Sequence, residues 1–483
     1  MTNTFGFIDW AFIIGFLVIS LSIGLIARKR IVSIDDFLLV GRKLRSFRGI
    51  ATLASTEMGL VTIIYFSEEA YSNGFVAIVA GIIAALTMWI IGQTGFVIKH
   101  LRALGITTVP EYFELRYKPG VRLIAGLLIF LTGVLNMGIF LQVEGKFLSI
   151  AMGFPAETLP VIMGIILVIV VSYTMLGGMH SVVITDVFQF LILLIGIVVI
   201  TYFSFAHAGG LNGMVATVKT HFGDAGFNLR DAPRYGLLFI IWTALYYTSG
   251  WSSWQPVVQR VFSMQDARTS MKLYRITSIF MFFRACLPML WGIAALAVIG
   301  MIPETQTALP QMLVRIIPAG MIGFIMIGFL AASMSTYDSY LLSFSAILAQ
   351  DIIKPLYKRP IDDKNRMLLV RLGIIVIGFF IYFWGIYYEF TETVFRYIAL
   401  TGSLAFAGTL TGIVGGIYWK KASTAGAYLA FIASAIPPIT SLLVPEINPT
   451  NAGLLSFVLA PLSLFIGSIL IPDEEPVSND TSC

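Results

Sequence analysis

Charged residues are scarce in this sequence of 483 residues. Asp, Glu, Lys and Arg together make up 12% of the chain, whereas an average soluble domain contains about 25%. Apolar residues make up 58%, and the mean hydropathy is +0.88. A water-soluble core cannot bury that much apolar surface, but a lipid bilayer can surround it. The composition therefore excludes an ordinary soluble domain and predicts a protein that crosses a membrane many times.

Cysteine and histidine are also rare. The two cysteines are Cys286, inside an apolar run, and Cys483, the last residue, so we expect no structural disulfide. The four histidines are scattered, and no HExxH, GxSxG or P-loop motif is present, so we expect no enzyme activity. The net charge of +5 is small and the basic residues lie in short loops, which argues against nucleic-acid binding.

Long apolar runs dominate the rest of the sequence. Thirteen of them reach about 20 residues, the length that a helix needs to cross the hydrocarbon core. Their approximate limits are 7–27, 47–73, 75–97, 123–148, 158–176, 182–206, 235–256, 274–301, 317–348, 367–388, 393–418, 424–443 and 452–471. We therefore predict an all-α membrane protein with about 13 transmembrane helices.

The basic residues between the spans predict the orientation. If residues 28–48 are cytoplasmic, 24 of the 31 Lys and Arg residues, Arg260 included, fall in cytoplasmic loops and five fall outside. The positive-inside rule then places the N-terminus outside and the C-terminus, with the acidic residues 473–475, inside. We expect a multi-pass protein of the cytoplasmic membrane, in which residues 1–483 form a single transmembrane domain.

Ionisable side chains inside the spans are few, and such residues are costly in lipid and usually functional. Some have simple structural explanations: Glu144 and Lys146 can reach the membrane interface, Arg284 can pair with a buried glutamate, and Asp186 can cap a helix. The full set is Glu57, Glu68, Glu69, Glu144, Lys146, Asp186, Arg284 and Asp338.

Glu57 and Asp338 are harder to explain in that way, because both lie near the middle of long spans among small and hydroxylic residues. Residues 54–59 form a helix poorly, which suits a broken helix whose free carbonyls bind a cation. In residues 331–339, Ser335, Asp338 and Ser339 share one helix face. Their oxygens are the hard ligands that small cations prefer. The alternative is that the small residues only allow close helix packing.

The sequence resembles the sodium:solute symporter family over roughly residues 5–425. Members of that family take up sugars, amino acids, vitamins and carboxylates. Five segments carry the resemblance in the family's order: Asp35-Asp36-Phe37 with Gly41-Arg42; Thr107 to Tyr117; Tyr173-Thr174 with Gly177-Gly178, Thr185-Asp186 and Gln189; Gln255 to Arg260; and Leu330 to Thr336.

The resemblance implies a leucine-transporter-type fold, with two inverted repeats of five helices. The core repeats would cover about 47–206 and 235–418, and spans 2 and 7 would be interrupted near the midplane. The peripheral helices would be about 7–27, 424–443 and 452–471.

The resemblance also implies a sodium site between spans 2 and 9. Its ligands would be the carbonyls of Ser55, Met58 and Ala332 and the hydroxyls of Ser335 and Thr336. A second cation or proton site would comprise Asp186, Ser335, Asp338 and Ser339. Asp338 departs from the family's usual hydroxylic or small residue. The two carboxylates could bind a cation or share a proton.

The solute is expected between spans 2, 3, 4, 7 and 11. Aromatic and amide side chains there suit a polar ligand with an apolar face, although ordinary helix packing also explains the aromatic ones. The three acids of span 2 favour an amine or a polyol, and spans 2–4 carry no mid-membrane arginine for a carboxylate. Candidate contacts are Glu57, Thr62, Asn136, Gln142, Tyr247, Thr248 and Trp251.

The combined prediction is sodium-coupled uptake of a small polar organic solute by alternating access. Na⁺ is the expected coupling ion, the lipid bilayer and the solute are the expected partners, and the protein is expected to work as a monomer. One alternative is a proton-coupled permease of the same fold that uses Asp186 and Asp338 as the proton site. Another is a transporter-like solute sensor. The sequence leaves open which solute is carried and how many sodium ions move per cycle.

Overall fold

A computed structural model describes residues 6–318, 320–357, 360–388, 393–444 and 446–473. Cys483, Lys358, Arg359 and the acidic residues 474 and 475 lie outside the described residues. Within these ranges the chain is helical, and its one β-bridge joins Leu44 to Met264.

Nineteen α-helices are found in these ranges; the long ones lie on the predicted spans, and five shorter ones lie between them. They are α1 Phe7–Ala27, α2 Ile34–Leu39, α3 Ser46–Glu57, α4 Leu60–Asn73, α5 Ile78–Thr94, α6 Ile98–Ala103, α7 Val109–Arg116, α8 Pro119–Met152, α9 Leu159–His207, α10 Gly210–Phe222, α11 Leu237–Ser253, α12 Gln255–Ser263, α13 Ala267–Ile299, α14 Ala308–Ile316, α15 Ile322–Ile347, α16 Asp363–Tyr387, α17 Val394–Tyr418, α18 Thr424–Leu443 and α19 Pro449–Leu470.

Ten helical stretches among the described residues are long and apolar enough to cross a membrane. This number is lower than thirteen partly because 60–94 and 159–207 each form one continuous stretch, and because predicted span 7 is divided between two short helices. The structure confirms an all-helical, multi-pass protein, and the count of thirteen stays a prediction.

The 49-residue helix α9 contains a reversal that accounts for predicted spans 5 and 6. Gly178 has non-helical backbone angles, φ 48° and ψ −147°. A Cβ at Gly24 of α1 would lie 2.5 Å from Tyr173 Cβ and 2.8 Å from Ser181 Oγ. In a straight helix Tyr173 and Ser181 would be separated by about 12 Å along the axis. The two halves of α9 therefore meet at Gly178 as a tight hairpin.

Two other interruptions lie within predicted spans. Predicted span 2 consists of α3 and α4, separated by Met58 and Gly59. Predicted span 7 consists of α11 and α12, separated at Trp254, whose φ of −68° and ψ of 114° are extended. Both interruptions agree with the sequence-based expectation for spans 2 and 7.

The outer helices present apolar side chains to their surroundings. On α16 one stripe at helical spacing is exposed and consists of Leu368, Leu372, Val376, Phe379 and Phe383. Such a stripe would be unfavourable in water but fits the acyl chains of a bilayer. Helices α18 and α19 pack together beside α17, whereas α1 packs on α9 and α15.

Candidate functional site

The break in predicted span 2 lies at the centre of the candidate site. Helix α3 ends at Glu57, Met58 adopts φ −91° and ψ 46°, and Gly59 adopts φ −65° and ψ 157° before α4 begins at Leu60. The Met58 amide lies 3.1 Å from the Ala54 carbonyl and 3.2 Å from the Ser55 carbonyl. The poor helix-forming run 54–59 therefore corresponds to a real interruption inside the bundle, where the carbonyls of Thr56 and Glu57 accept from side chains of other helices.

Helix α15 contacts this break through Thr336. Its hydroxyl lies 2.9 Å from the Thr56 carbonyl and 3.1 Å from the Ala332 carbonyl. A Cβ at Gly59 would lie only 2.3 Å from Thr336 Oγ1, so the close approach requires glycine. One turn further along, Ser339 Oγ lies 2.8 Å from Thr56 Oγ1. The two stretches that the sequence selected for a cation site are therefore in direct contact.

The five residues predicted to hold sodium lie on the two sides of this contact. Ser335 donates a hydrogen bond to Asp186 Oδ1 at 2.5 Å. Ser55 Oγ is fully buried and makes no hydrogen bond to any described residue. A buried hydroxyl without a partner, beside backbone carbonyls at a helix end, is the chemistry that a small hard cation would complete.

Arg260 extends into the predicted second site. Its guanidinium nitrogen Nη2 hydrogen-bonds Thr56 Oγ1 at 2.9 Å, bonds Ser339 Oγ closely, and lies 3.5 Å from Asp186 Oδ2. Asp338 accepts hydrogen bonds from Tyr173 at 2.9 Å and from Ser339 at 3.1 Å. The predicted site residues Asp186, Asp338 and Ser339 thus lie together, with an arginine among them.

The sequence-based placement of Arg260 in a cytoplasmic loop was wrong. Helix α12 continues to Ser263, beyond the predicted end of span 7 at residue 256, and the Arg260 side chain is fully buried. The signal in the sequence was Val257, Val258 and Val261, which continue the apolar pattern around the arginine. A buried guanidinium is retained when carboxylates compensate its charge.

A cavity adjoins the break. The volume of this cavity is about 90 Å³. Polar groups are contributed by Glu57, Thr62, Asn136, Thr243, Arg284 and Thr336, and its walls are aromatic: Tyr65, Phe140, Trp242, Tyr246, Tyr247, Trp251, Trp254, Tyr340, Phe395 and Phe406.

Most of the predicted solute contacts line this cavity, but two do not. Glu57, Thr62, Asn136, Tyr247 and Trp251 line it, whereas Gln142 and Thr248 are absent from its wall. The amide of Gln142 instead donates to the Tyr388 carbonyl at 3.3 Å, and Gln142 lines a separate cavity with Lys146 and Phe154.

Arg284 was missed as a cavity residue and invalidates one argument about the solute. It reaches the cavity from α13, where its Nη2 lies 3.5 Å from Glu57 Oε2 and its Nε donates to the Glu57 carbonyl. The structure therefore contains the pairing of Arg284 with a buried glutamate that was one explanation for an arginine inside a span. Spans 2–4 carry no arginine in mid-membrane, but predicted span 8 supplies one to the same cavity. The lack of an arginine in spans 2–4 was therefore no reason to disfavour a carboxylate ligand.

The three acids of predicted span 2 do not share the cavity. Glu68 accepts a hydrogen bond from Thr305 at 2.6 Å. Glu69 pairs with Arg234 at 2.9 Å and accepts from Tyr235 at 3.0 Å. Since only Glu57 lines the cavity, the inference from three acids to an amine or a polyol loses its basis.

Glu144 does not reach the membrane interface, as one reading of the sequence suggested. It is 1% exposed and accepts a hydrogen bond from the Val61 amide at 3.0 Å and from Ser333 at 2.5 Å. Val61 lies in the first turn of α4, whose amides have no helical partner. Glu144 therefore caps the second half of the broken helix and ties it to α15.

Comparisons with known proteins agree with this geometry. The profile of the sodium:solute symporter family matches residues 37–434. The chain is 26% identical over 466 residues to the sodium/sialic acid symporter SiaT of Proteus mirabilis, and the alignment covers 92% of each chain. It is 26% identical to the sodium/glucose cotransporter of Vibrio parahaemolyticus, covering 83% of this chain and 78% of the relative. It is also 24% identical to the proline transporter PutP of Bacillus subtilis, covering 93% and 94%.

Solved structures show the same fold. A substrate-bound, outward-open Na⁺-coupled sialic acid symporter superposes with a TM-score of 0.84 at 23% identity, covering 97% of this chain and 99% of that one. The nucleobase-cation-symport-1 transporter MHP1 superposes with a TM-score of 0.57 at 15% identity, covering 92% and 96%.

These neighbours have leucine-transporter-type folds, so that predicted fold is confirmed. The sodium symporters among the relatives favour sodium over the proton as the coupling ion. The chain belongs to the sodium:solute symporter family of membrane transporters, and its coupling ion is Na⁺.

Proposed function

We propose that the protein carries a small polar organic solute into the cell together with Na⁺ by alternating access. The observation that carries this proposal is the contact between the break at Met58–Gly59 and Thr336 of α15. An ion held there touches two separate elements at once, and the solute cavity begins at the adjacent residue, Glu57.

In the proposed sodium site, Ser55, Met58 and Ala332 contribute carbonyl oxygens, and Ser335 and Thr336 contribute hydroxyls. Sodium bound to these oxygens holds α3 and α15 together and orders the break. An ordered break fixes the position of Glu57 in the cavity wall, so the solute binds more tightly when sodium is present. Because binding linkage is reciprocal, the solute tightens sodium binding by the same factor.

The charges near this site favour a cation. Asp186 and Asp338, when both are ionised, carry two negative charges against the single positive charge of Arg260. One negative charge is left beside Ser335, and a Na⁺ or a proton would neutralise it. The Glu57–Arg284 pair is neutral as a unit and does not change this balance.

Sodium entry supplies the energy for accumulation. At a membrane potential of about 100 mV, each inward Na⁺ contributes roughly 2.3 kcal/mol before its concentration gradient is added. One ion therefore supports a solute gradient of roughly fiftyfold. The proposal includes the cytoplasmic membrane as location, the N-terminus outside, the C-terminus in the cytoplasm, and function as a monomer.

Sodium binding can be tested before the solute is known. The purified full chain is heated in NaCl, KCl or choline chloride at equal ionic strength, and its melting temperature is measured. We expect NaCl alone to raise the melting temperature in a saturable manner, since an ion that binds the native state stabilises it. Equal melting temperatures in all three salts would contradict the proposed sodium site.

A further inference from the structure

Glu57 and Arg284 place one acid and one base side by side on the cavity wall. Their side chains are 5% and 8% exposed, and Glu57 Oε2 lies 3.5 Å from Arg284 Nη2. A buried ion pair costs free energy that an apolar pair of equal volume would not cost. The pair therefore places both charges on the wall of one cavity, where a ligand would meet them together.

Both partners keep an unused hydrogen-bonding position. Glu57 Oε1 is buried and accepts no hydrogen bond from any described residue. On Arg284, Nε donates to the Glu57 carbonyl and Nη2 lies 3.3 Å from Thr62 Oγ1, whereas Nη1 has the Met281 sulfur as a weak neighbour at 4.0 Å. Thus a carboxylate oxygen has no hydrogen-bond partner among the described residues, a guanidinium nitrogen has only a weak one, and both side chains belong to residues that line the same cavity.

The aromatic wall of the cavity suits an apolar part of the ligand. Tyr247 and Trp251 are stacked with ring centroids 5.7 Å apart. The indole N–H of Trp251 already donates to the Ala84 carbonyl at 2.9 Å, so its contribution to the cavity is an apolar surface. A ligand with an apolar body would pack there and leave its charged end for Glu57 and Arg284.

We propose that the solute is a zwitterion that carries one ammonium and one carboxylate on an apolar body, as an amino acid does. The ammonium contacts Glu57 Oε1 and the carboxylate contacts Arg284 Nη1. This proposal rests on the proposed function, because Glu57 directly precedes Met58 of the sodium site. A zwitterion keeps the cavity neutral, whereas a lone anion or a lone amine adds an uncompensated buried charge.

The test compares matched ligands that differ only in charge. Proline, leucine and phenylalanine are each titrated into the purified full chain in NaCl and in KCl. Each is compared with the amine lacking its carboxylate and the carboxylate lacking its amine, and glucose and N-acetylneuraminate complete the set. We expect sodium-dependent binding of at least one amino acid, at least about tenfold tighter than both of its analogues, since each charged hydrogen bond is worth more than 1.4 kcal/mol.

Two variants test whether Glu57 binds the ammonium and Arg284 binds the carboxylate of the ligand. Glu57→Gln should weaken the binding of the amino acid by about tenfold or more, because the ammonium contact is lost. The amine-free carboxylate should bind no more weakly, because Arg284 remains and no longer pairs with Glu57. Arg284→Gln should instead abolish the preference for ligands that carry a carboxylate. Glu68→Gln is the matched control, a buried acid of the same span outside the cavity, and should leave the order of ligand affinities unchanged.

The outcomes separate the two proposals. Sodium-dependent binding of glucose, N-acetylneuraminate or an amine-free carboxylate in preference to every amino acid would overturn the zwitterion while leaving sodium-coupled transport intact. Loss of affinity for all ligands alike in Glu57→Gln would also overturn it. If NaCl changes neither the melting temperature nor the binding of any compound, the proposed function fails together with it.

Discussion

At the scale of single residues, the site depends on side-chain oxygens that could be identified in the sequence and on two arginines whose particular carboxylate partners could not. Residues 331–339 stand out because hydroxyls repeat on one face within an apolar span. Arg260 and Arg284 complete the ionic contacts of the site, yet each is remote in sequence from its carboxylate partner. Pairing across more than 70 residues is a property of the fold, which no local pattern reports.

Thr336→Ala should raise the sodium concentration needed for half-maximal uptake. The substitution removes one proposed ligand and the bond to the Thr56 carbonyl, so we expect an increase of about three- to tenfold. Sodium-dependent uptake or the sodium-dependent melting temperature measures it. Ser345→Ala is the control, because among the described residues this buried serine of α15 bonds only within its own helix, to the Leu342 carbonyl at 3.0 Å. An equal shift in both variants would argue against the site.

Arg260→Gln should strongly destabilise the protein. The substitution leaves Asp186 and Asp338 close together without their shared cation, and breaking a buried pair costs about 3–5 kcal/mol. We expect a lower melting temperature in detergent. The double variant Arg260→Gln with Asp186→Asn removes the excess charge and should recover part of the loss. A double variant that is no more stable than Arg260→Gln would show that the ionic contact is not the cause.

At the scale of helices, the important feature is how a broken span is held in place. Helix α4 begins in the middle of the bundle, where water is not available to its first amides. Glu144 supplies the missing acceptor from α8. A sequence can reveal that a run is a poor helix former, but not which distant carboxylate caps the helix that follows.

Gly59→Ala should separate the two halves of the proposed sodium site. Its Cβ would lie 2.3 Å from Thr336 Oγ1, a distance that forces α15 and the break apart. We expect sodium-dependent uptake to fall at least about tenfold while the protein still reaches the membrane, because a misplaced ligand weakens ion binding. Gly15→Ala in α1, whose added Cβ meets no atom within 4 Å, is the control. Normal uptake by Gly59→Ala would contradict the contact.

Glu144→Ala should loosen the N-terminus of α4. The Val61 amide and the Ser333 hydroxyl both lose their acceptor, and each unsatisfied buried group costs about 1–3 kcal/mol. We expect a lower melting temperature and weaker sodium binding, with an unchanged order of solute affinities because Glu144 does not line the cavity. Glu144→Gln keeps an acceptor and should be milder. If the two variants behave alike, the capping role is wrong.

At the scale of the whole molecule, the predicted orientation can be tested by labelling. In a background of Cys286→Ser and Cys483→Ser, we expect Lys219→Cys to react with a membrane-impermeant maleimide in intact cells. Lys43→Cys should react only after the membrane is permeabilised. Both lysines are exposed, so access depends on the side of the membrane rather than on burial. The opposite pattern would reverse the predicted topology.

Much of the architecture was predictable because hydropathy reports directly on the bilayer. The limits of α1, α3 with α4, α17, α18 and α19 agree with the predicted spans within a few residues. Span 7 was cut short at residue 256 because Gln255, Gln259 and Arg260 are polar, although they are buried in the bundle. Gln142 and Thr248 were assigned to the solute from their predicted spans and residue types, and neither lines the cavity, because the sequence does not define how each helix is rotated.

The hairpin at Gly178 limits how the transporter can move. A Cβ there would lie 2.4 Å from the Phe37 carbonyl, and with φ at +48° only glycine fits the turn comfortably. With no connecting loop, the arms of α9 have no slack to slide past each other. One arm carries Tyr173, which bonds Asp338, and the other carries Asp186, which bonds Ser335. An opening of the proposed cation site would therefore have to move both arms together with α15 or separate both of them from it.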